Sequence, residues 1–109
     1  MNKNKHFIVA HAYDKRGRLI ARASNSYSQT HPIQAKYAKM AGKPLSIFLH
    51  AEIACLLRTG TKMVHRLTVE RYNKKGEPVL AKPCSICELA IKDWDVRVVE
   101  YTPIFDASR

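Results

Sequence analysis

The chain has 109 residues, of which 46% are hydrophobic, and its 19 lysine and arginine residues against 9 acidic residues give a net charge of +10. This length excludes a second domain, so we expect residues 1–109 to form one domain with its own core. No apolar run reaches the roughly 18 residues of a membrane-spanning helix, so we expect no membrane partner. The basic excess favours phosphate-bearing partners, nucleotides or single-stranded nucleic acid, without choosing between them.

The N-terminus and the cysteines indicate a compartment. Met1–Lys5 are polar and basic and lead directly into a strand-like segment, without the apolar stretch of a signal peptide. The cysteines are Cys55, Cys84 and Cys87, an odd and sparse set that argues against a secreted disulfide scaffold. We therefore expect a cytoplasmic protein, in which a Cys-x-x-Cys pair more often binds metal or is redox-active than forms a structural bridge.

A β-hairpin and a helix are predicted in the first part of the chain. Residues 6–13 and 19–24 are apolar or alternating, and Asp14–Arg18 between them is a turn signal that contains glycine. Residues 33–41 hold good helix formers without glycine or proline. This predicts a short helix that ends at Gly42.

A second, buried helix is predicted to begin at Ser46, which is a suitable N-cap residue. The apolar residues of segment 47–57 are too dense for an exposed surface, so this helix should lie in the interior. Gly60 is its predicted end.

The last part of the chain predicts a strand, a helix and a strand. Residues 64–72 and 96–101 contain several β-branched or aromatic residues, and residues 83–92 open with proline and have helical spacing. This order predicts an α/β domain with a mixed sheet of four to five strands and helices packed on it.

Two short motifs contain metal-binding residue types. His50-Ala51-Glu52 lies in the predicted buried helix, and Pro83-Cys84-Ser85-Ile86-Cys87 opens the later one. Cysteines three apart on a helix share a face, so both thiolates can point at one ion, and a helix N-terminus favours their ionised form. The imidazole gives a third ligand, and a catalytic zinc ion (Zn²⁺) keeps its fourth position for water.

Glu52 supplies the proton transfers that such a site needs. A carboxylate that alternates between base and acid can take a proton from water and deliver it to a leaving group. Its place two residues after His50 gives it a different direction from the ligand. Glu52 is therefore the candidate catalytic residue.

The Cys-x-x-Cys pair has three other interpretations. A thioredoxin-like redox pair is expected early in the chain, after the first strand. A zinc ribbon needs a second Cys-x-x-Cys pair, and only Cys55 remains. A purely structural zinc site with the same ligands is the third alternative.

The segments HAEIACLL (residues 50–57) and KPCSICELAIK (residues 82–92) resemble the two zinc motifs of the cytidine and deoxycytidylate deaminase superfamily. This superfamily also includes tRNA adenosine deaminases and polynucleotide cytidine deaminases. The resemblance covers roughly residues 6–102 and is nearest to short members from phages and bacteria. It implies a three-layer α-β-α fold, with helices on both faces of a mixed sheet, and a homo-oligomer.

The resemblance also implies roles for individual residues. The implied zinc ligands are His50, Cys84 and Cys87. Glu52 is the implied proton shuttle, Asn25 the implied contact to the sugar, and the backbone near Ala51 the implied lining of the base pocket. The chain departs from the family pattern in two ways: only four strands are evident where members usually have five, and Lys82 precedes Pro83, where relatives often carry Ser, Glu or an apolar residue.

Three further residues are candidate substrate contacts. Phe48, just before the first motif, can stack on a base or belong to the core. Tyr27 and His31, in the loop 26–32, can lie over the pocket or belong to a solvated connection.

Three functions are compatible with the sequence. The first is hydrolytic deamination of cytosine to uracil in a nucleoside or nucleotide. The second is deamination of single-stranded DNA or RNA, at cytosine or at adenosine in tRNA, which the basic charge supports. The third is a non-catalytic, zinc-stabilised nucleic-acid-binding module, against which the presence of Glu52 argues.

Overall fold

The computed structural model describes residues 6–102, in which three helices and a five-stranded sheet follow one another. The elements are β1 (Phe7–Tyr13), β2 (Leu19–Ser24), α1 (Pro32–Met40), α2 (Ala51–Arg58), β3 (Arg66–Tyr72), β4 (Pro78–Val79), α3 (Ser85–Asp93) and β5 (Val98–Tyr101). The predicted α/β class is confirmed. Met1–Lys5, on which the expected localisation rests, lie outside the described residues. Within residues 6–102, none of the helices is both long and apolar enough to cross a bilayer.

The sheet is mixed, as predicted, and β3 lies at its centre. On one side β3 pairs antiparallel with β1, which pairs antiparallel with β2. On the other side β5 pairs parallel with the first half of β3, and β4 pairs antiparallel with its end. The Thr102 hydroxyl joins the two short strands, since it accepts from the Arg71 N–H at 3.2 Å and donates to the Val79 carbonyl at 3.0 Å. Strand β4 was not predicted, because two residues are too short to show a periodic pattern.

The hydrophobic core lies on one face of the sheet. The sheet residues that belong to it alternate along their strands and are Ala10, Ala12, Ala23, Leu67 and Val69. Buried residues of all three helices pack against them in the same cluster. The opposite face carries polar and charged groups at alternate positions, among them His11, Arg66 and Glu70. The buried helix residues described within 6–102 join this one cluster, and the three-layer arrangement implied by the resemblance stays a prediction.

The N-cap of helix α2 lies four residues later than predicted. Ser46 is not its N-cap, since the helix starts at Ala51 and His50 occupies the cap position. The preceding segment is held extended by the loop after β2: the Leu49 N–H donates to the Gln29 carbonyl and the Leu49 carbonyl accepts from the Ser26 N–H, both at 2.9 Å. These bonds outweigh the helical preference of the apolar residues.

The other two helices agree with the sequence analysis within one or two residues. α1 is followed by Gly42, whose φ of 75° is a left-handed conformation that favours glycine. α3 packs against α1, and the Tyr37 hydroxyl of α1 donates to Asp93 Oδ2 of α3 at 2.7 Å. Burial and this bond raise the pKa of Tyr37 to about 12, so the hydroxyl stays protonated and remains a donor.

We expect Tyr37→Phe to lower the free energy of unfolding by about 1 kcal/mol, because it removes one hydrogen bond and leaves the ring packing in place. Urea unfolding measures the effect. Tyr101→Phe is the control, since no hydrogen bond of its hydroxyl is present among residues 6–102. An equal loss in both variants would contradict the role assigned to the Tyr37–Asp93 bond.

Candidate metal centre

The N-termini of α2 and α3 meet at one end of the domain. His50 is the N-cap residue of α2 and Cys84 is the N-cap residue of α3, and both have extended backbone conformations. Neither side chain makes the hydrogen bond usual for an N-cap residue. Both side chains are therefore available to bind something else.

The three predicted ligands form a cluster. His50 Nδ1 lies 3.2 Å from Cys87 Sγ and 3.6 Å from Cys84 Sγ, and all three donor atoms lie within 4.8 Å of one another. Tetrahedral zinc, with its usual bond lengths to nitrogen and sulfur, separates such atoms by about 3.5 Å. The observed distances fit one ion shared by the three side chains.

The donor set suits zinc and is incomplete. Two thiolates and one imidazole are ligands that zinc prefers. Among residues 6–102, no other histidine, cysteine or carboxylate belongs to this cluster. The group can thus hold a metal ion through three protein atoms and leave a fourth position for a small ligand.

The two thiols share one proton unequally, so that Cys84 ionises readily and Cys87 does not. A hydrogen bond from the Cys87 thiol lowers the pKa of Cys84 to about 3, and burial opposes that effect only in part. The same bond raises the pKa of Cys87, which keeps the proton. A hydrogen bond with Cys84 raises the pKa of His50, while burial and the charge of Lys43 oppose the rise. A bound divalent cation would replace the proton that the two thiols share.

Glu52 lies beside the cluster without joining it. Its side chain is 6% exposed and its oxygen atoms are not among the clustered donors. Burial raises the pKa of Glu52, although hydrogen bonds from its own N–H and from Cys87, and the positive charge of His50, lower it. A buried carboxyl group with a raised pKa next to potential metal ligands is a common feature of acid–base sites.

Gln34 was not identified from the sequence, although it positions His50. It is fully buried in α1, where its Oε1 accepts from the His50 N–H at 3.1 Å and its Nε2 donates to the Ser46 carbonyl at 3.2 Å. These bonds fix the segment before α2. A signal was present: Gln34 shares the apolar stripe of Ile33, Tyr37 and Ala38, where an amide needs buried partners.

Two predicted substrate contacts have other partners. The Asn25 side chain accepts from the Ile8 N–H at 3.0 Å and donates to the His6 carbonyl at 3.2 Å. The Tyr27 hydroxyl bonds the N–H and the carbonyl of His6, at 2.8 and 2.9 Å. Both side chains thus fasten the loop after β2 to the start of β1, and their contacts to a sugar or base stay predictions.

The remaining predicted contacts lie in different surroundings. Ala51 is fully buried at the start of α2, directly beside the cluster. Phe48 is 47% exposed and forms an isolated bridge with Thr30, so it belongs neither to the core nor to a helix. The His31 ring caps α1, since its Nδ1 accepts from the Ile33 N–H at 3.0 Å. The exposed ring of Phe48 is available to a ligand, whereas the cap occupies one nitrogen of His31.

No family model, no curated protein and no solved structure matches this chain. The structure shows a histidine and two cysteines that lie together in a small α/β domain. The resemblance to the deaminase superfamily continues to rest on the two sequence motifs.

We expect His50→Ala, Cys84→Ser and Cys87→Ser each to abolish retention of one zinc ion per chain, because two donors hold the ion far more weakly than three. Zinc content after dialysis is measured by elemental analysis. Cys55→Ala is the control: it also removes a thiol, but one that is fully buried away from the cluster. Full retention by the ligand variants, or equal loss in Cys55→Ala, would refute the site.

We expect Gln34→Leu to weaken zinc binding by about tenfold, because residues that orient metal ligands contribute effects of this order. Competition with a chromophoric chelator measures the affinity. Gln29→Leu is the matched control, since this side chain is exposed and only its backbone carbonyl contacts Leu49. Unchanged affinity in a folded Gln34→Leu protein would show that Gln34 serves stability alone.

Proposed function

We propose that this protein is a zinc-dependent hydrolase that deaminates cytosine to uracil in a nucleoside or nucleotide. One observation carries the proposal: a buried carboxyl group, Glu52, lies beside a three-donor cluster without being one of its donors. A structural zinc site takes a fourth protein ligand and needs no buried acid next to it. Three ligands and a free carboxylate are the composition of a hydrolytic site.

The chemistry assigned to Glu52 is the transfer of two protons. A zinc ion held by His50, Cys84 and Cys87 would supply a water whose pKa is near neutral. Glu52 takes a proton from the water that attacks C4 of cytosine and gives it to the ring nitrogen N3; it then takes the second proton from the new C4 hydroxyl and gives it to the departing amine. The C4–O bond forms, the C4–N bond breaks, and ammonia leaves. Burial, which raises the pKa of Glu52, makes the carboxylate a better base than an exposed one.

The surroundings of the cluster favour an anionic substrate. His50 and Cys84 are partly exposed, so a ligand can reach the donor side of the site from solvent. Lys43 lies close enough to affect the pKa of His50, and Lys82 is exposed just before Pro83. We propose that these two ammonium groups bind the phosphate of a nucleotide. Deoxynucleotide and ribonucleotide monophosphates are therefore better candidate substrates than free nucleosides.

The second candidate function is deamination of a base in single-stranded nucleic acid. The net charge of +10 favours it, because a polynucleotide offers many phosphates to a basic surface. A base that is already unpaired can enter the site without the cost of unstacking a duplex.

The test incubates zinc-loaded protein with cytidine, deoxycytidine, their monophosphates or single-stranded oligonucleotides. It measures the change in ultraviolet absorbance and the ammonia released. We expect turnover of a monophosphate and a loss of about 1,000-fold in Glu52→Gln with zinc retained, since general acid–base catalysis contributes effects of this order. Glu88→Gln is the matched control, because Glu88 is an exposed acid in the first turn of α3.

The outcomes separate the candidates. Turnover of oligonucleotides alone would replace the first function with the second. Silence on every substrate, with zinc bound and Glu52→Gln indistinguishable from the natural protein, would leave a non-catalytic zinc-stabilised module.

A further inference from the structure

A cleft of about 990 Å³ lies at the end of the domain opposite the candidate metal centre. Three connections form it: the β1–β2 turn, the α2–β3 loop and the α3–β5 loop. α2 and α3 begin at the cluster and end next to this cleft. Because these helices have 8 and 9 residues, the two places are separated by at least about 12 Å along the helix axes.

The cleft is strongly basic. Its cationic side chains are Lys15, Arg16, Arg18, Lys62 and Arg97, and its acidic ones are Asp14 and Asp95. Asp14 pairs with Arg18 at 2.9 Å and Asp95 with Arg97 at 3.7 Å. Within residues 6–102, Lys15, Arg16 and Lys62 have no acidic partner, and all three are exposed.

The cations are not needed to satisfy the helix ends. The C-terminus of a helix carries partial negative charge, which nearby lysine or arginine side chains often neutralise. Here backbone N–H groups after each helix bond its last carbonyls, and the Thr59 hydroxyl bonds the Leu56 carbonyl at 2.6 Å. No lysine or arginine side chain of the cleft bonds these carbonyls in the described part of the chain. The unpaired charges are therefore available to an external anion.

We propose that this cleft binds the phosphate backbone of a single-stranded nucleic acid. The cations come from separate loops, which suits a string of phosphates better than a single phosphate group. Leu19 and Met63 line the same cleft and are 55% and 82% exposed, so apolar surface lies beside the cations. The inference does not depend on the metal centre, because none of the residues that line the cleft belongs to it.

The test measures binding of a fluorescent single-stranded 20-mer of deoxythymidine by anisotropy at several salt concentrations. We expect Lys15→Glu/Lys62→Glu to weaken binding at least tenfold at low salt. We also expect a shallower salt dependence, by about 0.7 in logarithmic slope for each phosphate that the protein no longer neutralises. The control is Lys74→Glu/Lys75→Glu, which changes the net charge equally but lies in the β3–β4 turn, outside the cleft. Lys15→Gln/Lys62→Gln, with unfolding and zinc content checked, gives a milder version of the same change.

Equal weakening by both charge reversals would overturn the proposal, because it would show an effect of net charge alone. No weakening by the cleft variants would overturn it as well. Displacement of the 20-mer by millimolar orthophosphate or a mononucleotide as readily as by unlabelled 20-mer would indicate a single-phosphate site instead. Equally good displacement by polyglutamate would indicate an acidic polypeptide as the partner.

Discussion

His50 approaches the thiols of Cys84 and Cys87 closely enough for one ion to bind all three side chains. This approach brings a partly buried imidazole, two cysteines and the buried Glu52 carboxyl group to the meeting point of two helices. The thiolates and the carboxylate repel one another when ionised, and only a few donors are near enough to compensate. A divalent cation resolves this conflict, since it is attracted to all the charges at once. The cluster is therefore better explained as a metal centre than as a packing feature of the core.

Local patterns predicted much of the fold and of the centre. The hairpin follows from strand periodicity around a glycine turn, and the joint position of Cys84 and Cys87 follows from their helical spacing. What failed depended on distant partners. Ser46 has a cap sequence, but the loop after β2 holds Leu49 in an extended conformation. Gln34 has the sequence position of an ordinary helix residue, and its role becomes evident only from its buried hydrogen bond to the His50 N–H.

The candidate metal centre and the basic cleft lie at opposite ends of α2 and α3. α2 and α3 present their N-termini to the candidate metal centre, where partial positive charge favours thiolates, and their C-termini lie near the basic cleft. A nucleic acid held at the cleft and a base bound at the centre would therefore contact opposite ends of the same helices. The self-association implied by the resemblance stays a prediction.

The buried position of Glu52 supports the proposal of a catalytic site over that of a purely structural one. A zinc-stabilised module gains nothing from a carboxyl group that is 6% exposed, because burial penalises its charged form and an apolar residue of similar size would pack there without that cost. The surroundings partly offset the penalty through the backbone N–H of Glu52 and the thiol of Cys87, and they keep the carboxylate apart from the donor cluster. The buried acid costs stability, yet it lies beside three donors that suit zinc and provide only three of its four ligands. Proton transfer to and from a bound water would account for this arrangement.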